Sequence, residues 1–267
     1  MKPSRRNQRA VLAIAAWGAL SGIAFAQDQI QGDDVAKAND PLANTRAFNV
    51  HDYYIGKLTE TDTYANQFWL RYATPFSIGE SKWLMRASLP VMTNPELPGT
   101  DHKTGLGDFN AFAAYLIDVG PGISFGVGPL INVPTATDDV LGSGKWSLGL
   151  ANVAFVATNP KLLYGYLLTW QASVAGDDER ADVNIAAFQP LIIGQLGGGT
   201  YWRSTGIMNY DFESEGYNVP LGIGIGQVWK SGKTVYNLFV EPQWSVASKG
   251  AGWPEWQVFV GFNMQFK

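Results

Sequence analysis

Residues 256–267 read "WQVFVGFNMQFK". Val258, Val260, Phe262, Met264 and Phe266 fall on one face of an extended chain. Phe259, Gly261, Asn263 and Gln265 fall on the other. Successive side chains of a strand point to opposite faces, so this is strict period-two patterning. The same pattern recurs upstream. In 234–246, Tyr236, Leu238, Val240 and Trp244 oppose Asn237, Glu241, Gln243 and Ser245. In 199–212, Trp202, Met208 and Tyr210 oppose Arg203, Thr205, Asn209 and Asp211. In 219–229, Leu221, Ile223, Ile225 and Trp229 oppose three glycines. Segments 66–75 and 163–174 alternate alike, with Phe68, Leu70 and Tyr72 opposing Gln67 and Arg71, and Tyr164, Tyr166, Leu168 and Trp170 opposing Thr169 and Gln171.

One face of each segment is aromatic or aliphatic and the other is polar or glycine. Soluble sandwich strands average about 5–6 residues, whereas these run near the ~10 residues that a tilted strand needs to cross a membrane. Backbone groups in lipid must all be paired, so a spanning sheet has to close on itself. The sequence therefore predicts an all-β chain, a transmembrane antiparallel up-and-down β-barrel of about twelve strands. The segments lie near 48–57, 65–75, 83–92, 108–118, 123–133, 146–157, 163–174, 183–194, 200–211, 218–229, 234–246 and 256–266. Trp83, Trp202, Trp229, Trp244 and Trp256 fall near segment ends, where an aromatic girdle belongs.

The connections alternate as well. "SIGESK", "VGPG", "TNPK", "QLGGG" and "KSGK" are tight turns, whereas "TNPELPGTDHKTGLG", "PTATDDVLGSGK", "AGDDERAD", "DFESEG" and "ASKGAGWPE" are longer or acidic. Short periplasmic turns and longer outer loops are the barrel rule. The alternation requires 48–57 to be a strand and both termini to lie on the periplasmic side. Pro75, Pro90, Pro129, Pro190, Pro220 and Pro242 fall within or beside these segments. A closed barrel has no free edge to tolerate them, so they must sit at strand ends or bulges.

The chain begins "MKPSRRNQRA", then "VLAIAAWGALSGIAFA", then "QDQ". A basic start, an apolar run and small residues at Ala24 and Ala26 make residues 1–26 a secretory signal peptide, with cleavage before Gln27. Residues 27–46 are polar and weakly patterned, an N-terminal arm or plug; residues 47–267 form the barrel. Without Lys2, Arg5, Arg6 and Arg9, 15 basic side chains face 23 acidic ones, net −8. That balance argues against nucleic acid as a partner. The 267 residues include no cysteine, so disulfides and thiolate metal sites are excluded. The expected location is the bacterial outer membrane, in contact with its lipid.

"VLGSGKWS" (140–147) resembles a phosphate-binding loop only on the surface. Asp139 stands where that loop needs glycine, Trp146 stands where it needs Ser or Thr, and a strand follows instead of a helix. No cofactor is expected. Asp138 and Asp139 precede this turn, and Asp177, Asp178, Glu179 and Asp182 flank Arg180 in another outer loop. Two readings stand for these acids: a solvated loop with an internal Arg180 pair, or a divalent-cation site. Their spacing matches no calcium-loop motif, and no metal site is assigned.

By parity, Arg71, Arg86, Asp108, Asn110, Gln171, Arg203, Asn209, Asp211, Glu241 and Gln243 face the lumen, with Asn263 and Gln265. Charges inside a barrel either line a water path or pair to close it, and both readings stand. Twelve strands give a lumen between the side-chain-filled eight-stranded case and open porins. His102 lies beside Asp101, and His51 near a strand start. These are the only histidines, and they offer little for a lipid-modifying hydrolase.

Several stretches carry a family resemblance: "NDPLAN" (39–44), "GLGD" (105–108), "GVGPLINVPTATDDVLGSGKWSLG" (126–149), "AGDDERADVN" (175–184) with "QP" (189–190), and "PEW" (254–256). In this order they resemble the bacterial outer-membrane family named for the meta pathway of phenol degradation, whose members are labelled transporters. The resemblance runs from about residue 39 to the C-terminus. It implies a channel or transporter, and the family's name implies small hydrophobic or aromatic compounds as solutes. The alternative is a structural or lipid-modifying outer-membrane barrel. The chain ends at Lys267 instead of an aromatic residue, which leaves Phe266 to engage the barrel assembly machinery.

Overall fold

A computed structural model describes residues 32–61, 63–95 and 102–266. The signal peptide with its cleavage point, Asp101 and Lys267 lie outside the described residues. Helix α1 spans Gly32–Asn39. Strands follow at Arg46–Leu58 (β1), Ala65–Ile78 (β2), Ser81–Asn94 (β3), Lys103–Leu106 (β4), Phe109–Asp118 (β5), Ile123–Val133 (β6), Lys145–Val156 (β7) and Leu162–Gly176 (β8). The second half contributes Asn184–Gly197 (β9), Thr200–Ser204 (β10), Met208–Asp211 (β11), Tyr217–Gly222 (β12), Gly224–Ser231 (β13), Thr234–Lys249 (β14) and Pro254–Phe266 (β15). The pairs β4/β5, β10/β11 and β12/β13 each form one interrupted stave, so the described strands make twelve staves. Neighbours are antiparallel, and β1 pairs with β15 from Arg46↔Phe266 to Leu58↔Pro254, which closes the barrel. Each of the twelve segments expected from the sequence overlaps one stave.

Closure leaves no edge, so each proline must fall where no ladder donor is needed. Pro75 pairs with Leu84 of β3 but lies beyond the last β1 pairing, Ala47↔Ala73. Pro90 lies where β3 passes from pairing β5 to pairing β4. Pro129 lies in a gap between the pairs Phe112↔Leu130 and Tyr115↔Val127. Pro190 faces the break between β10 and β11. Pro220 sits at a register shift, and Pro242 faces the break between β12 and β13. The stave interruptions are thus the counterpart of missing N–H groups on neighbouring strands.

The wall has two distinct faces. Leu148, Leu150, Leu168, Trp170, Leu221 and Ile225 are among the exposed large side chains on its outside. Trp83 stacks with Phe76, and Trp229 with Tyr236, at the end that carries the tight turns and both ends of the barrel sheet. Trp244 pairs across from Trp256 towards the opposite, loop-bearing end. Two polar pairs also lie on the outer face. Asn66 donates to Asp52 at 2.9 Å, and Tyr166 donates to Asn152 at 2.7 Å. Each member satisfies the other, which lowers the cost of a polar group in an apolar setting.

The core lies inside the barrel and is built around α1 and the segment that follows it. Val35 and Ala38 of α1 are buried in a cluster with Tyr53, Leu191, Tyr201, Phe239 and Phe259. Leu42 is buried in a second cluster with Leu84, Phe112, Leu130 and Val153. Polar side chains of the wall close on the backbone of this segment. Gln265 donates to the Lys37 carbonyl at 3.0 Å, Asn237 to the Ala38 carbonyl at 3.3 Å, and Gln195 to the Gly32 carbonyl at 3.2 Å. Ser124 donates to Asp40. These wall residues lie near the tight turns, so residues 32–45 occupy the turn end of the lumen.

Candidate solute path inside the barrel

Above the N-terminal segment the inner wall becomes polar and cationic. Arg71 on β2 and Arg86 on β3 are diagonal neighbours, because Arg71 pairs with Ser88 and Arg86 with Ala73. His51 on β1 reaches both sides. Its Nδ1 accepts from Arg71 at 2.6 Å and its Nε2 faces the Asn263 Oδ1 at 2.8 Å. An acceptor at Nε2 and a guanidinium at Nδ1 together select the neutral ring with its proton on Nε2. The Arg71 guanidinium lies 4.8 Å from the Trp69 ring and that of Arg86 4.5 Å from the Phe112 ring. Cation–π contacts of this kind hold the planar groups in place.

Across the lumen, Arg203 of β10 donates its Nε to Glu241 of β14 at 2.8 Å, and both are buried, at 6% and 0% exposure. Glu241 also repairs the stave interruption. Its Oε1 accepts from the Thr205 amide and its Oε2 from the Thr205 hydroxyl, each at 2.7 Å. Gln189 donates to the Thr205 carbonyl at 3.2 Å. The backbone groups that Pro190 leaves unpaired are therefore satisfied by inward side chains. Gln243 donates to Glu241 and accepts from Gln257, which extends the network towards the loop end. Phe239 packs under Arg203, with the guanidinium 3.6 Å from its ring. It has room there because Gly261 carries no Cβ, which would stand 2.1 Å from the ring.

A cavity of about 130 Å³ lies between this cationic belt and the N-terminal segment. Arg71, Arg86, Arg203, His51, Asn39 and Asp40 are among its lining residues, and Phe239, Phe259 and Leu84 supply apolar wall. The structure brings together Arg71, Arg86, Arg203, Glu241 and Gln243 from the residues that parity assigns to the lumen. Asn110 pairs across from Asn132 nearer the loops, and Gln171 from Gly149. Asn209 donates to the Ile207 carbonyl within its own stave.

Two assigned carboxylates are engaged elsewhere. Asp108, at the break between β4 and β5, accepts from the Ser143 amide at 2.7 Å, the Ser143 hydroxyl at 2.8 Å and the Ala136 amide at 3.2 Å. It pins the 134–144 loop to the barrel rim. Asp211 accepts from the Glu213 amide at 2.9 Å and the Ser214 hydroxyl at 2.6 Å, which closes its own turn. Parity reasoning passed over His51, Gln189 and Gln257, and His51 is the one of these that reaches Arg71. Its alternation with Asn49 and Tyr53 in "NVHDYYI" carries the signal, once β1 is known to start at Arg46.

The acidic loops interlock. Asp139 pairs with Arg180 at 3.7 Å, Asp138 with Lys103 at 3.4 Å, and Asp182 with the buried Lys145 at 3.1 Å. Asp177 accepts from the Glu179 amide, and Asp178 and Glu179 are exposed. Hydrogen bonds from Lys145 and Ser173 hold the Asp182 carboxyl below the usual aspartate range. The Val140 amide, then Lys103, does the same for Asp138. Gly142 and Gly144, inside "VLGSGKWS", offer carbonyls to Arg180 and to the Asp177 amide. This glycine turn thus binds the neighbouring loop. His102 faces Tyr64 at 3.5 Å at the loop end.

No protein-family model and no curated protein sequence matches the chain. Among solved structures, the chain is similar to an outer-membrane channel from Pseudomonas putida F1, with a TM-score of 0.65 at 10% identity, over 85% of this chain and 98% of that one. The fold is that of outer-membrane β-barrels. The NanC porin is similar at a TM-score of 0.52 and 7% identity, over 82% of this chain and 99% of that one.

Proposed function

We propose that this protein is a bacterial outer-membrane channel for small solutes whose lumen is stoppered from the turn end by residues 32–45. The observation that carries the reading is the polar cavity held between that segment and the belt of Arg71, Arg86, His51 and Arg203. A barrel kept only as a structural stave needs no buried cations, which are costly to desolvate. The similar folds of an outer-membrane channel and a porin support the reading, as does the apolar outer belt with its tryptophans at the strand ends. The family resemblance supports small hydrophobic or aromatic compounds as solutes. The strand ending at Phe266 serves as the assembly signal, and outer-membrane lipid is the surrounding partner.

A lipid-modifying activity would need a nucleophile beside a histidine. His51 has Arg71 and Asn263 on its two ring nitrogens instead. Liposome swelling with the purified chain tests the channel. Swelling in solutions of small solutes that falls off steeply with solute size is expected. A rate equal to that of protein-free liposomes for every solute would overturn the reading.

A further inference from the structure

We propose that the lumen cavity beside Arg71 and Arg86 is a binding site for one small organic carboxylate. This deepens the channel reading, because a site midway along the lumen selects which solute passes. The charge balance comes first. Three guanidiniums, Arg71, Arg86 and Arg203, surround the cavity. Glu241 is consumed by Arg203 and Thr205. Asp40, on the plug side, accepts from the Leu42 amide and the Ser124 hydroxyl. Among the described residues, neither Arg71 nor Arg86 forms an ion pair with a carboxylate. The Nε of each is buried without an acceptor. His51 is neutral in its hydrogen-bonding role, so it adds no charge. The cavity region therefore carries one net positive charge and two guanidiniums short of acceptors.

The ligand chemistry follows from that deficit. A planar carboxylate matches the guanidinium fork with paired, charge-assisted hydrogen bonds. A monoanion balances the single excess charge, whereas a dianion would be left over-charged. Leu84, Leu191, Ile193, Phe239 and Phe259 line the remaining wall, so the anion needs an apolar body. Trp69 and Phe112 already lie against the two guanidiniums, which reduces the ordering cost of binding.

Calorimetric titration of the full-length barrel in detergent, at fixed ionic strength, tests this directly. Sodium benzoate is the probe, and benzyl alcohol is the neutral control of like shape. Saturable one-site binding of benzoate without binding of benzyl alcohol is expected. Arg86→Met should weaken it about ten-fold or more, with assembly checked by heat-modifiable gel migration. If Arg86→Met fails to assemble, Arg86→Lys is read in its place. It keeps the charge but loses the fork, and weaker benzoate binding is again expected. Equal binding of the two compounds, or unchanged benzoate binding in the variant that assembles, would overturn the proposal. Displacement of benzoate by inorganic phosphate at the same concentration would overturn the carboxylate assignment. These readouts do not depend on flux: benzoate binding without liposome swelling would overturn the channel and leave the site standing.

Discussion

Glu241 joins Arg203, Thr205 and Gln243 on the inner wall. It neutralises a buried guanidinium and supplies two acceptors to Thr205, at the point where Pro190 removes a ladder donor. Removing one member of a buried pair leaves an uncompensated charge, at a cost of about 3–5 kcal/mol. Glu241→Gln should lower barrel stability by about that amount, measured by denaturant unfolding in detergent. The double change with Arg203→Met should cost less than Glu241→Gln alone, because no bare charge then remains. Equal losses in the single and double variants would show that the pair is not coupled.

At the scale of elements, the bonds from Lys145 and Ser173 to Asp182 should act as a pH-sensitive clasp at the rim. Asp182 has its folded-state value lowered by Lys145 and Ser173, so its bond stabilises the loop above the ordinary aspartate pKa of about 3.9. The contribution is lost as pH falls through the lower folded value. Hydrogen exchange at the Val183 amide, which donates to Ser173, should stay slow above that range and quicken below it. Exchange that does not change across it would contradict the clasp. The strands were legible because a membrane-spanning wall enforces period two: β6 runs over the expected residues 123–133. The prolines signalled breaks, but the repair by Glu241 and Gln189 depends on side chains far apart in sequence. Asp108 and Asp211 share the parity of lumen residues. Parity sets the face of a side chain but not its height, and both end as loop fasteners at the rim. Helix α1 was not legible, since "GDDVAKAN" is polar and its contacts come from Val35 and Ala38 against a wall that only exists once the barrel has closed.

For the whole molecule, the barrel and its N-terminal segment divide the work. The closed sheet satisfies its own backbone and, on the proposed reading, supplies the path through the membrane. The segment completes the core of the twelve-stave lumen, since Val35, Ala38 and Leu42 are buried against the inner wall. Its polar anchors are hydrogen bonds from Gln265, Asn237 and Gln195, each worth about 0.5–1.5 kcal/mol net, and one from Ser124 to the Asp40 carboxylate, worth about 1.5–3 kcal/mol. On the proposed reading, these bonds and the buried apolar contacts of Val35, Ala38 and Leu42 together hold the stopper in place. The most direct test is single-channel conductance in planar bilayers, comparing the chain that starts at Gln27 with one that starts at Arg46. The account predicts small or rare openings with the segment present and larger, long-lived steps without it, from barrels that both migrate as folded. Identical conductance with and without residues 27–45, or none from either, would contradict it.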